Sequence, residues 1–275
     1  MSTERTHSDT EGPSSGAGEA PRDSVSSLID GMPTAYYHRH SPSEVRVHAG
    51  IIHARGDALV VVEACPGPRE SGESEWLCVV TDDRPGLLSL LSAAISAHSL
   101  DILSARVYCR TRYARGGEAV DLFSVRGLKK QARSGLQRSD VASIRRTMEG
   151  LLRGDIDVQS LEKRAAQTSR PSGAPPVAVY FDDSRGSDLM IVEAGDRPGL
   201  LLAISLTIFR ERLTIVRSHV TTFAATARDE FELAEVDGSR LSRVRRSHIA
   251  EKIRDALSQE RPSRRPSGQV GSGQG

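Results

Sequence analysis

The sequence predicts an α+β protein of two ferredoxin-like βαββαβ units, each an antiparallel sheet with its helices on one face, between disordered tails. Three observations predict this. The hexapeptide Asp83-Arg84-Pro85-Gly86-Leu87-Leu88 recurs as Asp196-Arg197-Pro198-Gly199-Leu200-Leu201, an offset of 196 − 83 = 113. The same offset carries Leu100-Asp101-Ile102 onto Leu213-Thr214-Ile215 and Val107 onto Val220. Beyond a shortened hairpin the offset falls to 229 − 121 = 108 and carries Asp121-Leu122-Phe123 onto Asp229-Glu230-Phe231. A single gap, placed in a loop, is what an internal duplication leaves.

The elements follow in order. Residues 1–30 are rich in Ser, Thr, Glu and Gly and poor in large apolar groups, so they cannot bury enough surface to offset ordering and read as a disordered tail. Residues 31–70 hold a leading helix and strand. Ser41-Pro42-Ser43-Glu44 is a capping box with Pro at the first helical position, starting a helix that runs to about His53. Ala58–Ala64 is a β-branched run and hence a strand. The first unit, 71–165, begins with a strand at Trp76–Thr81. After the turn, Leu87, Leu88, Leu90, Leu91, Ala94 and Ile95 share one helical face. Strands at Asp101–Cys109 and Ala119–Val125 precede an amphipathic helix with Val141, Ile144, Met148 and Leu151 inward. Residues 166–176 read as a linker.

The second unit, 177–260, repeats the order. Val177–Phe181 is an extra strand and Leu189–Ala194 is the counterpart of Trp76–Thr81. Leu200, Leu201, Ile204, Leu206 and Ile208 make a helix apolar nearly all round. Strands at Thr214–Phe223 and Glu230–Val236 come next, then a helix with Leu241, Val244, Ile249, Ile253 and Leu257 inward. The tail 261–275 is basic and rich in Pro, Gly and Ser, and is expected to be disordered. Each copy alone is β-α-β-β-α, one strand short of the split βαβ layer. Val177–Phe181 is placed to complete the first copy and Ala58–Ala64 the second, an exchange that would interlock the two.

Composition limits function. Thirty-seven Lys and Arg face 36 Asp and Glu, so no polyanionic partner is demanded, and 4% aromatics argue against a base-stacking surface. Three cysteines without C-x-x-C spacing read as reduced thiols. No apolar stretch approaches the roughly 18 residues of a membrane span, and residues 1–20 hold no secretory signal. The expectation is a cytoplasmic protein with no nucleic-acid or membrane partner. His38, His40, His48 and His53 crowd one region, but His48 and His53 diverge around a helix. His48 is expected to pack or cap, and no metal is expected. Nine Arg or Lys against three acids in Arg240–Arg265 read as a solvated helix face and tail.

An acidic residue with RPGLL at a strand-to-helix turn, then LDILSARV, then AVDLFSV after a hairpin resemble ACT domains, small modules that bind amino acids and related metabolites. MPTAYYHRHSPSEVRVHAGII, a strand, and two such units separated by VAVYFDD resemble the C-terminal third of the bifunctional uridylyltransferase/uridylyl-removing enzymes of the nitrogen regulatory PII protein. The resemblance covers roughly residues 32–260. That family's catalytic motifs are not matched: Gly238-Ser239-Arg240 is followed by no Asp-x-Asp, Asp155-Ile156-Asp157 lies upstream, and none of the eight histidines precedes an aspartate. No catalytic residue and no cofactor are expected.

The turn has a chemistry of its own. With Pro85 as the first helical residue, the amides of Gly86, Leu87 and Leu88 fall in the first turn, without intrahelical acceptors and at the positive end of the helix dipole. A small carboxylate suits them, Gly86 permits close approach, and Asp83 meets an α-ammonium group or caps the helix. Plain turn and capping chemistry explains the same residues, and both readings stand. The resemblance implies a ligand between units, touching the turn and the neighbouring strand. The candidate site is then Asp83, Arg84, Pro85, Gly86, Leu87, Leu88, Asp101 and Ile102 in one copy, with Asp196, Arg197, Pro198, Gly199, Leu200, Leu201, Thr214 and Ile215 in the other. Thr214 in place of Asp101, and Arg217 in place of Ser104, predict unequal binding. The resemblance favours glutamine as ligand, allosteric control of PII or a separate metabolic enzyme as output, and a homodimer through side-by-side packing. A ligand-free association module and a uridylyltransferase remnant are the alternatives.

Overall fold

The computed structural model describes residues 31–67, 75–112, 116–128, 136–165, 176–223 and 225–258. The expected tails, and all of the linker but Pro176, lie outside the described residues.

Two short helices lead, α1 (Thr34–Tyr37) and α2 (Pro42–Arg55). Ser41 caps α2 as expected: its hydroxyl accepts from the Glu44 N–H at 3.3 Å, and Glu44 Oε2 accepts from the Ser41 N–H at 2.9 Å. The first unit is β1 (Val60–Cys65), β2 (Glu75–Asp82), α3 (Leu87–Ala97), β3 (Leu100–Arg112), β4 (Gly116–Gly127), α4 (Arg138–Arg153) and α5 (Val158–Ala165). The second is β5 (Ala178–Asp182), a 3₁₀ turn at Asp183–Arg185, β6 (Leu189–Gly195), α6 (Leu200–Arg210), β7 (Leu213–Phe223), β8 (Thr226–Glu235) and α7 (Arg243–Ser258).

All eight strands form one antiparallel sheet in the order β1-β2-β4-β3-β7-β8-β6-β5. The units join where β3 pairs with β7, with Arg106 opposite His219 and Val107 opposite Ser218. On one face α3 and α6 pack against each other over this seam, and each holds the last long helix of its own unit. Leu77, Val79, Ile95, Phe123, Ile144 and Met148 fill the core beneath them in the first unit, and Met190, Ile204, Phe231, Ile249 and Ile253 in the second. On the other face α2 covers only the first unit, through Ala49, Ile51 and Ile52 against Trp76, Cys78, Val80 and Leu122. That double cover is why β2 reads as an unbroken apolar run instead of an alternating one.

The expected exchange of strands does not occur. Residues Ala58–Ala64 do not reach the second copy: β1 pairs with β2, Val60 opposite Thr81. Residues Val177–Phe181 do not reach the first: β5 pairs with β6, Ala178 opposite Glu193. Each fourth strand is thus supplied from the N-terminal side of its own unit. An antiparallel neighbour needs only a short connection, whereas exchange would carry both strands past the whole sheet. Val244 also departs from expectation: it is exposed, because α7 begins at Arg243 and turns Ile249, Ala250, Ile253 and Leu257 inward.

The duplication extends to backbone irregularities. Ser99 and Arg212, again 212 − 99 = 113 apart, both take positive φ (58° and 56°) between helix and strand. The β3 bulge between Ile102 and Ser104 is repeated between Ile215 and Arg217. The Asp83 N–H donates to Gly117 O and the Asp196 N–H to Ala225 O, both at 2.9 Å, an offset of 225 − 117 = 108.

Candidate functional site

The repeated turn is a type II turn. Pro85 takes the second position and Gly86 the third, with φ 76° and ψ 4°, and the Leu87 N–H donates to Arg84 O at 3.1 Å. Gly199 repeats it with φ 80° and ψ 6°, and Leu200 N–H donates to Arg197 O at 3.1 Å. Pro85 therefore does not open the helix, as the sequence suggested; α3 begins two residues later with Gly86 as its cap. Glycine is required here because a Cβ at positive φ is strained. The Leu87 amide is spent on the turn. Among the described residues the Gly86 and Leu88 N–H groups have no hydrogen-bond acceptor, and they remain the donors at this corner.

The structure divides the candidate residues between two corners related by the duplication. Asp83, Arg84, Pro85, Gly86, Leu87 and Leu88 meet Thr214 and Ile215 across the unit seam, around a cavity of about 170 Å³. That is well above the roughly 10–15 Å³ one water centre needs. At the other corner the Asp101 charge, next to Ile102 at the head of β3, bears on Asp196 and helps raise its pKa, after burial. Pro198, Gly199, Leu200 and Leu201 continue that second turn into α6. Arg84 ties the turn to the end of α4, where its Nη1 donates to Leu152 O at 2.9 Å. Asp101 accepts from Arg126 Nη2 at 2.8 Å.

Sequence reasoning missed two groups that define the first corner. Phe209, in the last turn of α6, lays its ring over Gly86; a Cβ there would stand 2.6 Å from Phe209 Cδ2. The close approach that glycine permits is made by the protein's own second unit, and the cavity lies beside it. The other group is Asp121, in the middle of β4. It lines the cavity, is fully buried, and among the described residues neither carboxylate oxygen has a hydrogen-bond partner of normal geometry, the Tyr108 backbone coming only near enough to oppose the rise in its pKa. Burial, then the nearby Asp83 charge, pushes its pKa well above the usual carboxylate range. Asp229 repeats it: burial, then Asp196, pushes its carboxyl up to about 8. The readable signal was an acid at matched positions of the two copies, Asp121 within the apolar run of β4 and Asp229 within the more polar β8. Cys109, the counterpart of Thr222, is held up to about 12, by burial and then by Asp83.

This corner is chemically two-sided. The carboxyls of Asp83 and Asp121 line one side, the turn brings the Gly86 and Leu88 N–H groups, which have no acceptor among the described residues, and Ile208, Phe209, Leu213 and Ile215 supply an apolar wall. Such a chamber suits a compact molecule with a cationic and an anionic end. Among the described residues no cluster of His, Cys, Asp and Glu could hold a metal ion. Of the crowded histidines, His40 and His48 are buried in an aromatic cluster, where Tyr36 Oη lies 2.8 Å from His48 Nδ1 and His40 Nε2 lies 3.2 Å from Tyr108 Oη. His38 and His53 are exposed. No helix among the described residues is long and apolar enough to cross a membrane.

Comparison with known proteins points the same way as the sequence motifs. The chain is 31% identical over 217 residues to the bifunctional uridylyltransferase/uridylyl-removing enzyme of Rhodospirillum rubrum, covering 76% of this chain and 22% of that protein. It is 28% identical over 219 residues to that of Phenylobacterium zucineum, covering 79% and 23%. It is 28% identical over 248 residues to that of Gluconobacter oxydans, covering 85% and 25%. The chain spans about a quarter of the length of these curated relatives. No family model matches, and no solved structure does.

Proposed function

We propose that the chain is a non-catalytic, ACT-type regulatory module that senses a free amino acid, with glutamine the candidate the family implies. The observation that carries this is the cavity at the seam, where the turn of one unit and the head of β7 in the other meet around Asp83, Asp121 and two unspent amides. An α-ammonium group fits the two carboxyls and an α-carboxylate fits the amides and the helix dipole. A ligand so placed touches both units and favours whichever packing of α3 against α6 brings its two walls to the right distance. That shift would alter contact with a partner such as PII or a separate metabolic enzyme, or between two copies of the chain. The module's similarity to a quarter-length segment of uridylyltransferases supports a regulatory role beside catalysis supplied elsewhere.

The test is calorimetric titration of the full chain with glutamine and a panel of amino acids. Saturable binding is expected, weakened at least ~10-fold by Asp83→Asn through the loss of one charge-assisted contact. Absence of heat with every amino acid at millimolar concentration overturns the reading. One observation favours a ligand-free association module instead, the Phe209 ring covering Gly86. In that case Phe209→Ala loosens the pairing of the units and creates no amino-acid response.

A further inference from the structure

The β3–β7 seam carries a second cavity, on the face opposite the helices that cover the first. It measures about 370 Å³ and lies where the cover of α1 and α2 ends and, among the described residues, nothing covers this face of the second unit's sheet. Its charged lining comes from every surrounding element: Arg39 between α1 and α2, Arg106 on β3, Arg217 and His219 on β7, and Glu230 and Glu232 on β8. The register explains the gathering, because Arg106 lies opposite His219, which lies opposite Glu230, while Arg217 lies opposite Glu232.

The two acids are already engaged. Glu232 is bonded to Arg217, and Glu230 lies 3.6 Å from Arg228. Arg39 and Arg106 have no carboxylate partner among the described residues. The Nε and Nη1 atoms of Arg106 are buried with no hydrogen-bond partner among the described residues, and the guanidinium stacks over the Trp76 ring at 5.5 Å from its centre. A guanidinium cannot shed its proton to escape this burial. Stacking on an indole compensates part of a buried charge, while unmade hydrogen bonds to charged groups are costly. His219 feels the same excess: burial, then Arg39 and Arg106, hold its pKa below the usual range, so it is a neutral ring able to donate one hydrogen bond.

We propose that this cavity binds a small molecule through a phosphate-type oxyanion, held by Arg106 and Arg39 from the first unit and closed by His219 from the second. A guanidinium fork matches such an oxyanion with paired hydrogen bonds. The volume leaves room for an organic body beyond the phosphate. This site lies on the opposite face of the sheet from the amino-acid corner, and Tyr108 of β3 is the one residue that lines both cavities.

The test is thermal unfolding of the full chain in inorganic phosphate against chloride at matched ionic strength. A saturable rise in Tm with phosphate alone is expected, with apparent affinity at least ~10-fold weaker in Arg106→Gln. Arg39→Gln is the second variant; Arg39 is exposed and has no carboxylate partner among the described residues, so its Tm in chloride stays at the wild-type value while its phosphate response weakens. A phosphate response unchanged in both variants overturns the proposal. So does a rise that chloride matches, or a response to malonate without one to phosphate.

Discussion

Replacing Asp229 by Asn isolates the energetic cost of burying an acid inside one half of the sheet. Asp229 is fully buried on the helix-facing side of β8, opposite Val192 on one side and Val220 on the other. Its carboxyl titrates at about 8, because burial and then the Asp196 charge disfavour the ionised form. In the unfolded chain the same group titrates near ~3.9. The folded state therefore binds the proton more tightly, so this group's contribution to stability is fully present below pH ~4 and is lost as pH rises through about 8. Between pH 5 and pH 8 that loss amounts to about 4 kcal/mol, at 1.36 kcal/mol per pH unit. Asn keeps the shape and removes the titration. Urea unfolding of both proteins at pH 5, 6, 7 and 8 measures the difference, and groups common to both, such as Asp121 and His48, largely cancel. The stability of Asp229→Asn relative to wild type should climb by about 4 kcal/mol across that range. A flat difference would mean that Asp229 is ionised in the folded state at pH 5, and the account of both buried acids would fail.

Two further perturbations test the site's construction. Gly86→Ala places a Cβ at φ 76° and 2.6 Å from the Phe209 ring. It should cost about 2–3 kcal/mol, of which roughly 1–2 is the left-handed backbone itself. Adding Phe209→Ala relieves the clash alone, so the two losses should sum to more than the double variant loses; additive losses by urea titration refute the contact. Arg55→Met strips Glu118 Oε1 and Asp82 Oδ1 of a guanidinium that reaches both at 2.7 Å. Glu118 is 1% exposed and keeps Arg110, at 2.9 Å, so a loss of about 3 kcal/mol at neutral pH is expected. Glu118→Gln in that background should recover part of it, and no recovery would show that the pair is not the cause.

Features encoded locally were legible in the chain itself. The α2 cap was readable because Ser41 and Glu44 satisfy each other within one turn. The repeated hexapeptide was readable because Pro followed by Gly suits a type II turn, although Pro85 proves to belong to that turn and not to the helix. The buried acids were visible only as letters: Asp121 in AVDLF looks like any polar break until both faces of β4 are covered. Phe209 gave no signal at all, since in sequence it is one more apolar residue in an apolar helix, and its counterpart in the first copy, 209 − 113 = 96, is Ser96.

The sequence by itself determined that two similar sheet-and-helix units exist, where the eight strands and five of the seven described helices fall (α1 and α5 gave no signal), and that a Pro-Gly corner precedes α3 and α6. These are consequences of short-range hydrogen bonding and of side-chain periodicity, which neighbouring residues settle among themselves. Tertiary structure decided which edge each spare strand joins, that β3 meets β7, and hence that Asp83 faces Thr214 while Asp101 faces Asp196. One exposed strand edge offers the same row of N–H and C=O groups as another, so backbone chemistry cannot choose between them. The choice falls to connection length and to the burial of α3 against α6, quantities that exist only once the whole chain has folded.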